Sequence, residues 1–329
     1  MERTLLLIVI IAGFALTSRS APNGFVLIAN KGEHTLGMID VASGRQIATV
    51  PETGVTGHEV AASRGNLAFV PIYGNSGVGQ PGTDGRTMDV IDLGRRRVVH
   101  TVDFGGGVRP HCPVFGPKDG LLYVTTELDD SVTIVDPGTY KILGKIPTGQ
   151  PQSHMLAISP DGRYGYTANV GPGTVSVLDM AARKTLKVIP VASHVQRISI
   201  SLDGRWVFTS DTQEARLAVI DAASRELSRW IALPGEGYGT ASTPDGKHLL
   251  VAVPGRNQVA VVDLARFEVV KTIGVPAAPQ AVLIPADGQV AYVSCDHSRQ
   301  IAAIHTHDWS VSLIDAGKDA DGLAWATEP

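Results

Sequence analysis

The sequence predicts an all-β protein, a seven-bladed β-propeller with four antiparallel strands in each blade. The first observation is a tetrapeptide of the type YVTT that recurs along the chain, beginning at Leu27, Phe69, Tyr123, Tyr166, Phe208, Leu250 and Tyr292. The successive intervals are 42, 54, 43, 42, 42 and 42 residues. The second observation is that each interval contains four short apolar runs. A repeat of roughly 40–45 residues with four strands is typical of a propeller blade.

One repeat, residues 153–196, shows the order of elements within a blade. It reads SHMLAIS, PDG, RYGYTAN, VGPG, TVSVLD, MAARK and TLKVIPV before SHVQ starts the next copy. Runs rich in Val, Ile, Tyr and Thr that are separated by Pro-Asp-Gly and Gly-Pro-Gly are typical of strands joined by tight turns. We therefore expect four strands per copy, named a, b, c and d, and a structural role for the Pro-Asp-Gly turns.

The c strand of each copy supports this register. An aspartate falls thirteen residues after the first tetrapeptide residue at Asp40, Asp136, Asp179, Asp221 and Asp263, and His305 takes this place in the last copy. In the second copy, Asp92 follows Phe69 by 23 residues. The extra residues lie in the b–c connection between Tyr73 and Asp89, where glycines and prolines predict an irregular loop.

The two ends of the repeat array predict how the ring closes. The first copy begins directly at a b strand, residues 25–30, whereas residues 321–326 form an additional strand after the seventh copy. We expect this C-terminal strand to pair with the N-terminal blade, because the pairing leaves no open sheet edge. The prediction is one propeller domain over residues 21–329.

Residues 1–20 differ in composition from the repeats. Arg3 is followed by an apolar run over residues 5–16, and small side chains precede Ala21. Twelve apolar residues are too few to span a bilayer, so the segment predicts a signal peptide that is cleaved after Ser20. The expected location is periplasmic or secreted, and a retained anchor is the alternative.

The composition excludes several classes of function. A net charge of −4 gives no basic surface for nucleic acid or for an anionic membrane. Cys112 and Cys295 fall in the third and seventh copies, which a closed ring holds too far apart for a disulfide, so we expect two free thiols. The chain has no Walker loop, dinucleotide fingerprint, Gly-x-Ser-x-Gly elbow or Cys-x-x-Cys-His motif. A nucleotide cofactor or a covalent serine mechanism is therefore disfavoured.

The tetrapeptides YVTT at Tyr123 and YVSC at Tyr292, together with the turns SPDGR, SLDGR and TPDGK, resemble the YVTN β-propeller repeat family. The resemblance covers nearly the whole mature chain. It implies a seven-bladed propeller of the class that includes lactonase-like proteins, bacterial surface-layer propellers and the propeller domain of nitrous oxide reductase. It leaves the function open, because propellers of this kind include enzymes, binding modules and scaffolds.

One position at the start of each a strand is polar or amphipathic throughout, and it is occupied by His58, His111, His154, Gln196, Tyr238, Gln280 and Asp321. Because a strands surround the channel of a propeller, these side chains would form a ring at its mouth. Three histidines on consecutive blades could then bind Zn²⁺, Cu²⁺, Mn²⁺ or Fe²⁺ with an open coordination position. The alternative is that they satisfy buried backbone groups. We expect His100, His248, His305 and His307 to be structural.

Further side chains of the same face are candidates for a site. The candidate catalytic residues are Tyr238, His194 and Glu127, and the candidate substrate-binding residues are Arg109, Arg197 and Gln152. Tyr238 would transfer a proton once a nearby cation lowers its pKa. Arg197 would clamp a substrate carboxylate with its planar guanidinium. A salt bridge with Arg109 is the alternative role for Glu127.

Two functions fit these residues. The first is an exported metal-dependent hydrolase or lyase that acts on a C–O bond of a lactone or an acidic sugar, with one divalent transition metal held by the histidines. The alternative is a non-catalytic periplasmic module that binds a metal, a small molecule, a saccharide or a protein partner at the same mouth. Neither reading involves nucleic acid or embedding in a membrane. Electron transfer through a multinuclear copper site is disfavoured, because the chain lacks a separate copper domain.

Overall fold

The computed structural model describes residues 24–63 and 65–327, and these residues form seven antiparallel sheets of four strands each. The innermost strand of each sheet contacts the innermost strand of the next, and the seventh sheet contacts the first. The sheets therefore form a closed ring around a channel. This arrangement confirms the predicted seven-bladed β-propeller.

The strands follow the chain from the channel outward within each blade. Blade 1 contains β1 (Gly24–Asn30), β2 (Thr35–Asp40) and β3 (Arg45–Pro51). Blade 2 contains β4 (Ala61–Ala62), β5 (Leu67–Gly74), β6 (Asp84–Asp92) and β7 (Arg97–Asp103). Blade 3 contains β8 (Pro110–Phe115), β9 (Leu122–Thr126), β10 (Ser131–Val135) and β11 (Ile142–Pro147). Blade 4 contains β12 (Ser153–Ile158), β13 (Tyr164–Asn169), β14 (Thr174–Asp179) and β15 (Lys184–Pro190).

The remaining blades repeat this order. Blade 5 contains β16 (Val195–Ile200), β17 (Trp206–Asp211), β18 (Arg216–Asp221) and β19 (Glu226–Ala232). Blade 6 contains β20 (Thr240–Ser242), β21 (His248–Val253), β22 (Gln258–Asp263) and β23 (Glu268–Gly274). Blade 7 contains β24 (Pro279–Leu283), β25 (Val290–Cys295), β26 (Gln300–His305) and β27 (Val311–Asp315). The last strand, β28 (Ala320–Thr327), is the innermost strand of blade 1.

The C-terminal strand β28 closes the ring as predicted. It pairs antiparallel with β1, so that Phe25 lies opposite Ala326 and Leu27 lies opposite Ala324. Its buried alanines pack into the apolar clusters that blade 1 shares with blades 2 and 7. The strand therefore belongs to the core and also protects the edge of β1.

The core lies between neighbouring blades. The b and c strands are buried along their length, as β10 shows at every residue, because adjacent blades cover both of their faces. The outer d strands alternate between exposed and covered residues, as in β3. Close packing of this kind resists deformation, so the frame holds the residues at the channel in fixed positions.

Blade 2 has the longest b–c hairpin. The strands β5 and β6 continue as far as the pair Gly74 and Asp84, and only residues 75–83 form an irregular loop. Gly74 has φ of 112°, and a Cβ atom there would lie 2.0 Å from the carbonyl oxygen of Thr83, so the turn requires glycine. The predicted irregular loop over residues 73–89 was therefore too long, because backbone pairing extends the hairpin at both ends.

Aspartate side chains hold the a–b and c–d turns, which lie together on one face of the propeller. The Asp161 carboxylate accepts hydrogen bonds from the Ser159 hydroxyl and from the backbone N–H of Arg163. In a c–d turn, Asp179 accepts a hydrogen bond from the backbone N–H of Ala182 at 2.8 Å. These contacts confirm the structural role predicted for the Pro-Asp-Gly turns. Both cysteines are free, as expected, and the structure shows that both are buried.

The predicted signal peptide over residues 1–20 lies outside the described residues. Within the described part of the chain, no helix combines the length and apolar character that a membrane span requires. The helical elements found there are short 3₁₀ turns over Lys31–Glu33, Glu127–Asp129 and Pro254–Arg256. Each lies in a b–c connection, and the first two place Lys31 and Glu127 at the channel mouth.

Candidate functional site

The three predicted metal-binding histidines lie side by side at one end of the channel. His111 and His154 belong to the inner strands β8 and β12, whereas His58 precedes β4. The ring centroids of His111 and His154 are 3.6 Å apart, and those of His58 and His111 are 5.5 Å apart. The structure thus brings the three side chains into one cluster, called the histidine cluster below. Their role as metal ligands stays a prediction.

Burial keeps these imidazoles neutral. His111 and His154 are 2% and 3% exposed, whereas His58 is partly exposed. Burial lowers the pKa of His58 to about 4 and the pKa of His111 well below its ordinary value. Burial also lowers the pKa of His154, although the nearby Glu127 carboxylate opposes this shift. A neutral imidazole has a lone pair that can bind a metal or accept a hydrogen bond.

The donor atoms of the histidine cluster do not converge on one point. An imidazole lone pair lies in the plane of its ring, and the rings of His111 and His154 are stacked at 3.6 Å and inclined by only 30°, so their lone pairs lie in nearly parallel planes. Among the described residues, no group of three or more His, Cys, Asp or Glu side chains is arranged to hold a metal ion. The Nδ1 atoms of His111 and His154 are nevertheless buried with no hydrogen-bond partner in that part of the chain. Such atoms are uncommon in folded proteins and call for an explanation.

Tyr73 and Glu127 complete the cluster. The Tyr73 hydroxyl donates a hydrogen bond to Glu127 Oε2, and His154 Nδ1 lies 3.6 Å from the same oxygen. The Tyr73 ring centroid lies 4.9, 5.2 and 5.9 Å from those of the three imidazoles. Tyr73 is absent from the predicted site residues. Its position directly after the second tetrapeptide, where the long insertion begins, is the sequence signal that points to it.

Glu127 is fully buried and ionised at neutral pH. Burial alone would raise its pKa, but His154, the Tyr73 hydroxyl and the backbone N–H of Gly79 hold the pKa below its ordinary value. The Gly79 N–H donates to Glu127 Oε1 at 3.1 Å, and Arg109 Nη1 lies 3.4 Å from that oxygen. The salt bridge considered as the alternative role of Glu127 is thus present. Its carboxylate joins the histidine cluster to the loop over residues 75–83.

Arg109 holds this loop against blade 3. Its Nε donates to Asp84 Oδ1 at 2.7 Å, its Nη1 to the carbonyl of Gly77 at 3.3 Å, and its Nη2 to the carbonyl of Gln80 at 2.7 Å. Arg109 is also only 4% exposed. Its guanidinium is therefore occupied by internal partners. A role in substrate binding stays a prediction and requires one of these partners to move.

Arg197 makes an ion-pair network across the channel. Its Nη1 contacts Glu59 Oε1, and its Nη2 lies 2.7 Å from Asp321 Oδ1. The three residues are 6%, 7% and 5% exposed, respectively. Burial would lower the pKa of Arg197, but the two carboxylates raise it above its ordinary value, so the guanidinium stays charged. Arg197 thereby links blade 5 to blades 2 and 1, and it is not free to bind a substrate anion.

Lys31 and Asp296 extend this network toward the solvent. Lys31 Nζ lies 3.5 Å from Asp321 Oδ2 and 3.5 Å from Asp296 Oδ1. With Glu59 and Arg197, these residues form the channel network, which contains two cations and three carboxyl groups. Burial raises the pKa of Glu59 and of Asp296. Protonation of one carboxyl group would balance the excess negative charge.

Tyr238 packs against the channel network. The guanidinium carbon of Arg197 lies 5.1 Å from the centroid of the Tyr238 ring. The expected cation is therefore present, but the expected lowering of the tyrosine pKa is wrong. Burial raises the pKa of Tyr238 by more than Arg197 lowers it. Tyr238 stays protonated at neutral pH, so it is suited to donate a hydrogen bond and unsuited to act as a base.

Gln152 and His194 lie outside the histidine cluster. Gln152 Oε1 accepts a hydrogen bond from the backbone N–H of Gly171 at 2.8 Å. The side chain of His194 is exposed, and its backbone carbonyl accepts a hydrogen bond from the N–H of Thr212 at 3.2 Å. Both residues line the mouth without contacting the imidazoles. Their substrate-binding and catalytic roles stay predictions.

Two cavities open beside the cluster on the same face. One of about 360 Å³ lies between the loop over residues 75–83 and blades 3 and 4, with Arg109 and Glu127 in its wall. The other, of about 340 Å³, is lined by residues of blades 5, 6 and 7, including Gln196 and Tyr238. Cavities of this size accept small molecules. A ligand can therefore approach the mouth from either side.

Comparison with known proteins identifies relatives of part of the chain. The family model described as the cytochrome D1 heme domain matches residues 117–239. The seven-bladed beta-propeller protein Rv1057 of Mycobacterium tuberculosis is 29% identical over 138 residues, which are 41% of this chain and 32% of that protein. The chain is a seven-bladed β-propeller. The match spans about a third of the length of the mycobacterial protein.

Two solved structures share the fold over most of the propeller. Kuenenia stuttgartiensis hydrazine synthase superposes with a TM-score of 0.68 and 18% identity, over 93% of this chain and 100% of that chain. The dihydro-heme d1 dehydrogenase NirN in complex with DHE superposes with a TM-score of 0.65 and 15% identity, over 93% of this chain and 76% of that chain. At these identities the likeness shows the fold.

Proposed function

We propose that this protein is an exported propeller that binds an iron tetrapyrrole at the channel mouth, with His58 as the residue that holds the iron. The observation that carries the proposal is the cluster of three neutral imidazoles, in which His58 is partly exposed and the other two are buried. Of the three imidazoles, His58 is the most accessible to a ligand, because His111 and His154 are nearly closed to solvent. The proposed function is ligand binding.

The donor chemistry of His58 fits this ligand class. Imidazole is a common axial ligand of haem iron, and one such ligand is sufficient. The side-by-side orientation of His111 and His154, which disfavours a three-histidine site, therefore does not count against it. With a pKa of about 4, His58 is neutral across the physiological range, and protons do not compete with the metal there.

The comparisons support the ligand class. The family model that matches residues 117–239 is described as a heme domain, and NirN is described as a dihydro-heme d1 dehydrogenase. The haem named in each case is the ligand of the related protein. For this chain the two descriptions favour a tetrapyrrole over a lactone or an acidic sugar.

The other residues of the mouth would orient this ligand. A bound iron would supply coordination and redox chemistry. The Glu127 carboxylate, 3.6 Å from His154 Nδ1, places a negative charge beside the histidine cluster. Tyr238 stays protonated and can donate a hydrogen bond. Arg109 and Arg197, already paired inside the protein, hold the frame in which these groups sit.

A metal-dependent hydrolase or lyase of the YVTN lactonase-like class is the second candidate. The buried and unpartnered Nδ1 atoms of His111 and His154 favour it, since a divalent transition metal such as Zn²⁺ would satisfy them once one ring rotates. The internal pairing of Arg109 and Arg197 counts against an anionic substrate. This candidate thus requires one of the two imidazole rings to rotate.

Titration of the purified protein with haemin, followed by absorption spectroscopy, tests the proposal. We expect a one-to-one complex with a shifted Soret band, and we expect His58→Ala to weaken binding by about 10-fold or more. His248→Ala, on the opposite face, is the matched control and should bind as the wild type does. Haemin binding that His58→Ala leaves unchanged would refute the assignment. Failure to bind haemin, together with Zn²⁺ or Cu²⁺ binding that His111→Ala abolishes, would favour the metal-dependent enzyme.

We also propose that the protein is exported, on the strength of the apolar run over residues 5–16. N-terminal sequencing of the protein from the periplasmic or culture fraction should give Ala21 as the first residue. A chain that retains Met1 and sediments with membranes would contradict this proposal and favour a retained anchor.

A further inference from the structure

The face opposite the channel mouth has a large cleft at the seam between blades 7 and 1. Its volume is about 800 Å³, and a cavity of about 260 Å³ adjoins it, because both share Asp287, Gly288 and Thr306 in their walls. The turns that follow β2, β24 and β26 line the cleft. It is remote from the histidine cluster, and the proposed function makes no use of it.

Blade 7 departs from its neighbours at Asp287. In blades 4, 5 and 6 the equivalent aspartate accepts a hydrogen bond from a hydroxyl two residues earlier, in the pairs Ser159 with Asp161, Ser201 with Asp203, and Thr243 with Asp245. Blade 7 has Pro285 at this place, and proline has no hydroxyl. Within the described residues, the Asp287 carboxylate accepts one hydrogen bond, from the N–H of Gln289 at 3.1 Å. The carboxylate therefore keeps acceptor capacity for a ligand.

Blade 7 differs from the other blades a second time at the end of its c strand, where it has His305. The other six blades have an aspartate there that accepts hydrogen bonds from the backbone of the c–d turn, namely Asp40, Asp92, Asp136, Asp179, Asp221 and Asp263. In blade 7 this task passes to Asp308, which accepts a hydrogen bond from the N–H of Ser310 at 2.9 Å. The imidazole of His305 is thus not required by the turn, and it lines the cleft. Both departures of this blade provide polar groups to one cavity.

The rest of the wall combines apolar side chains with the polar side chains of Gln289, Thr306, His307 and Ser312. Tyr292, Leu313, Ile314 and Val41 contribute to it, and Leu313 is 52% exposed. The cleft and its neighbouring cavity are lined by Asp245 and Asp287 and, among the described residues, by no lysine or arginine. Asp245 has Lys247 as a partner at 3.7 Å, which leaves the charge of Asp287 for a ligand. The lining thus combines a carboxylate with an apolar wall and an aromatic ring.

We propose that this cleft is a binding site for a small aromatic amine. The ammonium group would pair with the Asp287 carboxylate, because a charge-assisted hydrogen bond is stronger than a neutral one. The apolar body would lie against Leu313, which is 52% exposed, with the nearly buried Tyr292 ring behind it. A volume of about 800 Å³ lies within the range that holds small organic ligands. The described lining contains three histidines but no lysine or arginine, which disfavours an organic anion.

Three compounds that share the indole ring and differ in charge test the proposal: tryptamine, indole and indole-3-acetate. Isothermal titration of the secreted protein at pH 7.5 should show tryptamine binding about 10-fold or more tightly than indole, with indole-3-acetate the weakest. Asp287→Asn should reduce the affinity for tryptamine to that for indole. Asp161→Asn is the matched control, since its carboxylate is occupied by its own turn, and it should leave tryptamine binding unchanged.

A second variant keeps the test decisive if Asp287→Asn folds poorly. Pro285→Ser restores the hydroxyl found in blades 4, 5 and 6, so it should engage Asp287 within the turn and weaken tryptamine binding in a folded protein. Thermal unfolding by circular dichroism checks the fold of each variant. Equal affinities for the three compounds, tryptamine binding that both variants leave unchanged, or no tryptamine binding by the wild type would each overturn the proposal.

Discussion

Replacing Arg197 with methionine removes the cation that Glu59 and Asp321 share inside the channel. The guanidinium contacts Glu59 through Nη1 and lies 2.7 Å from Asp321 through Nη2. The arginine is 6% exposed, so water cannot take its place without a rearrangement. Methionine fills a similar volume and provides no donor. The variant therefore leaves two buried carboxyl groups without their shared partner.

The expected loss in the free energy of unfolding follows from the burial of these ion pairs. Removal of one partner from a buried ion pair costs about 3–5 kcal/mol, because the charge that remains is unpaired in a medium of low polarity. This is a large share of a typical free energy of unfolding of about 5–15 kcal/mol. At roughly 2 °C per kcal/mol for a large domain, the melting temperature should fall by about 6–10 °C.

Urea unfolding at pH 7.5, followed by tryptophan fluorescence, measures this loss. Arg86→Met is the matched control, because Arg86 and Asp103 form an exposed pair with side chains 54% and 53% accessible, and solvent screens such a pair so that its loss has little effect on stability. Adding Glu59→Gln and Asp321→Asn to Arg197→Met should recover most of the stability, because neutral amides replace the unpaired carboxylates. A loss below about 1 kcal/mol in the single variant, or a triple variant no more stable than the single one, would refute the reasoning.

Three further predictions concern acid stability, ring closure and Tyr73. The free energy of unfolding should fall as the pH drops from about 6.5 toward 4, because His58 has a folded pKa of about 4 and takes up a proton in this range only when the chain unfolds. His58 accounts for a loss of about 2 kcal/mol at pH 5. The raised pKa of Glu59 acts in the opposite direction. Deletion of residues 320–329 should destabilise the whole propeller, because it uncovers β1 and its core contacts. Tyr73→Phe should cost about 1–3 kcal/mol, because the buried Glu127 loses a hydrogen bond.

Each of these predictions has a direct check. A His58→Gln variant should show a smaller loss of stability between pH 7 and pH 5 than the wild type, and equal losses would contradict the assignment of neutral His58. An unchanged melting temperature in the truncated chain would contradict the role of β28 in the core. Stability of Tyr73→Phe equal to that of the wild type would show that the Glu127 carboxylate has no need of this hydroxyl.

The sequence by itself determined the blades and their closure. The tetrapeptides, the turn residues and the aspartate at the end of most c strands recur at a nearly fixed spacing. Each of them reflects a local preference for a strand or a turn, and the repetition of these preferences predicts the blades. The missing a strand of the first copy predicted that β28 completes blade 1, which the pairing of Phe25 with Ala326 confirms. The register also indicated that His58, His111 and His154 share one end of the channel.

The tertiary structure decided what the residues of that site can do. Arg197 and Glu59 are 138 residues apart, so no local pattern showed that the arginine is already paired. Tyr73 and Glu127 are 54 residues apart in the sequence, and their contact depends on the packing of blade 2 against blade 3. The direction of the Tyr238 pKa shift depends on burial, which outweighs the cation beside it. Periodicity in the sequence reflects the backbone of each blade, whereas ion pairing and desolvation depend on the distances that the closed ring sets between blades.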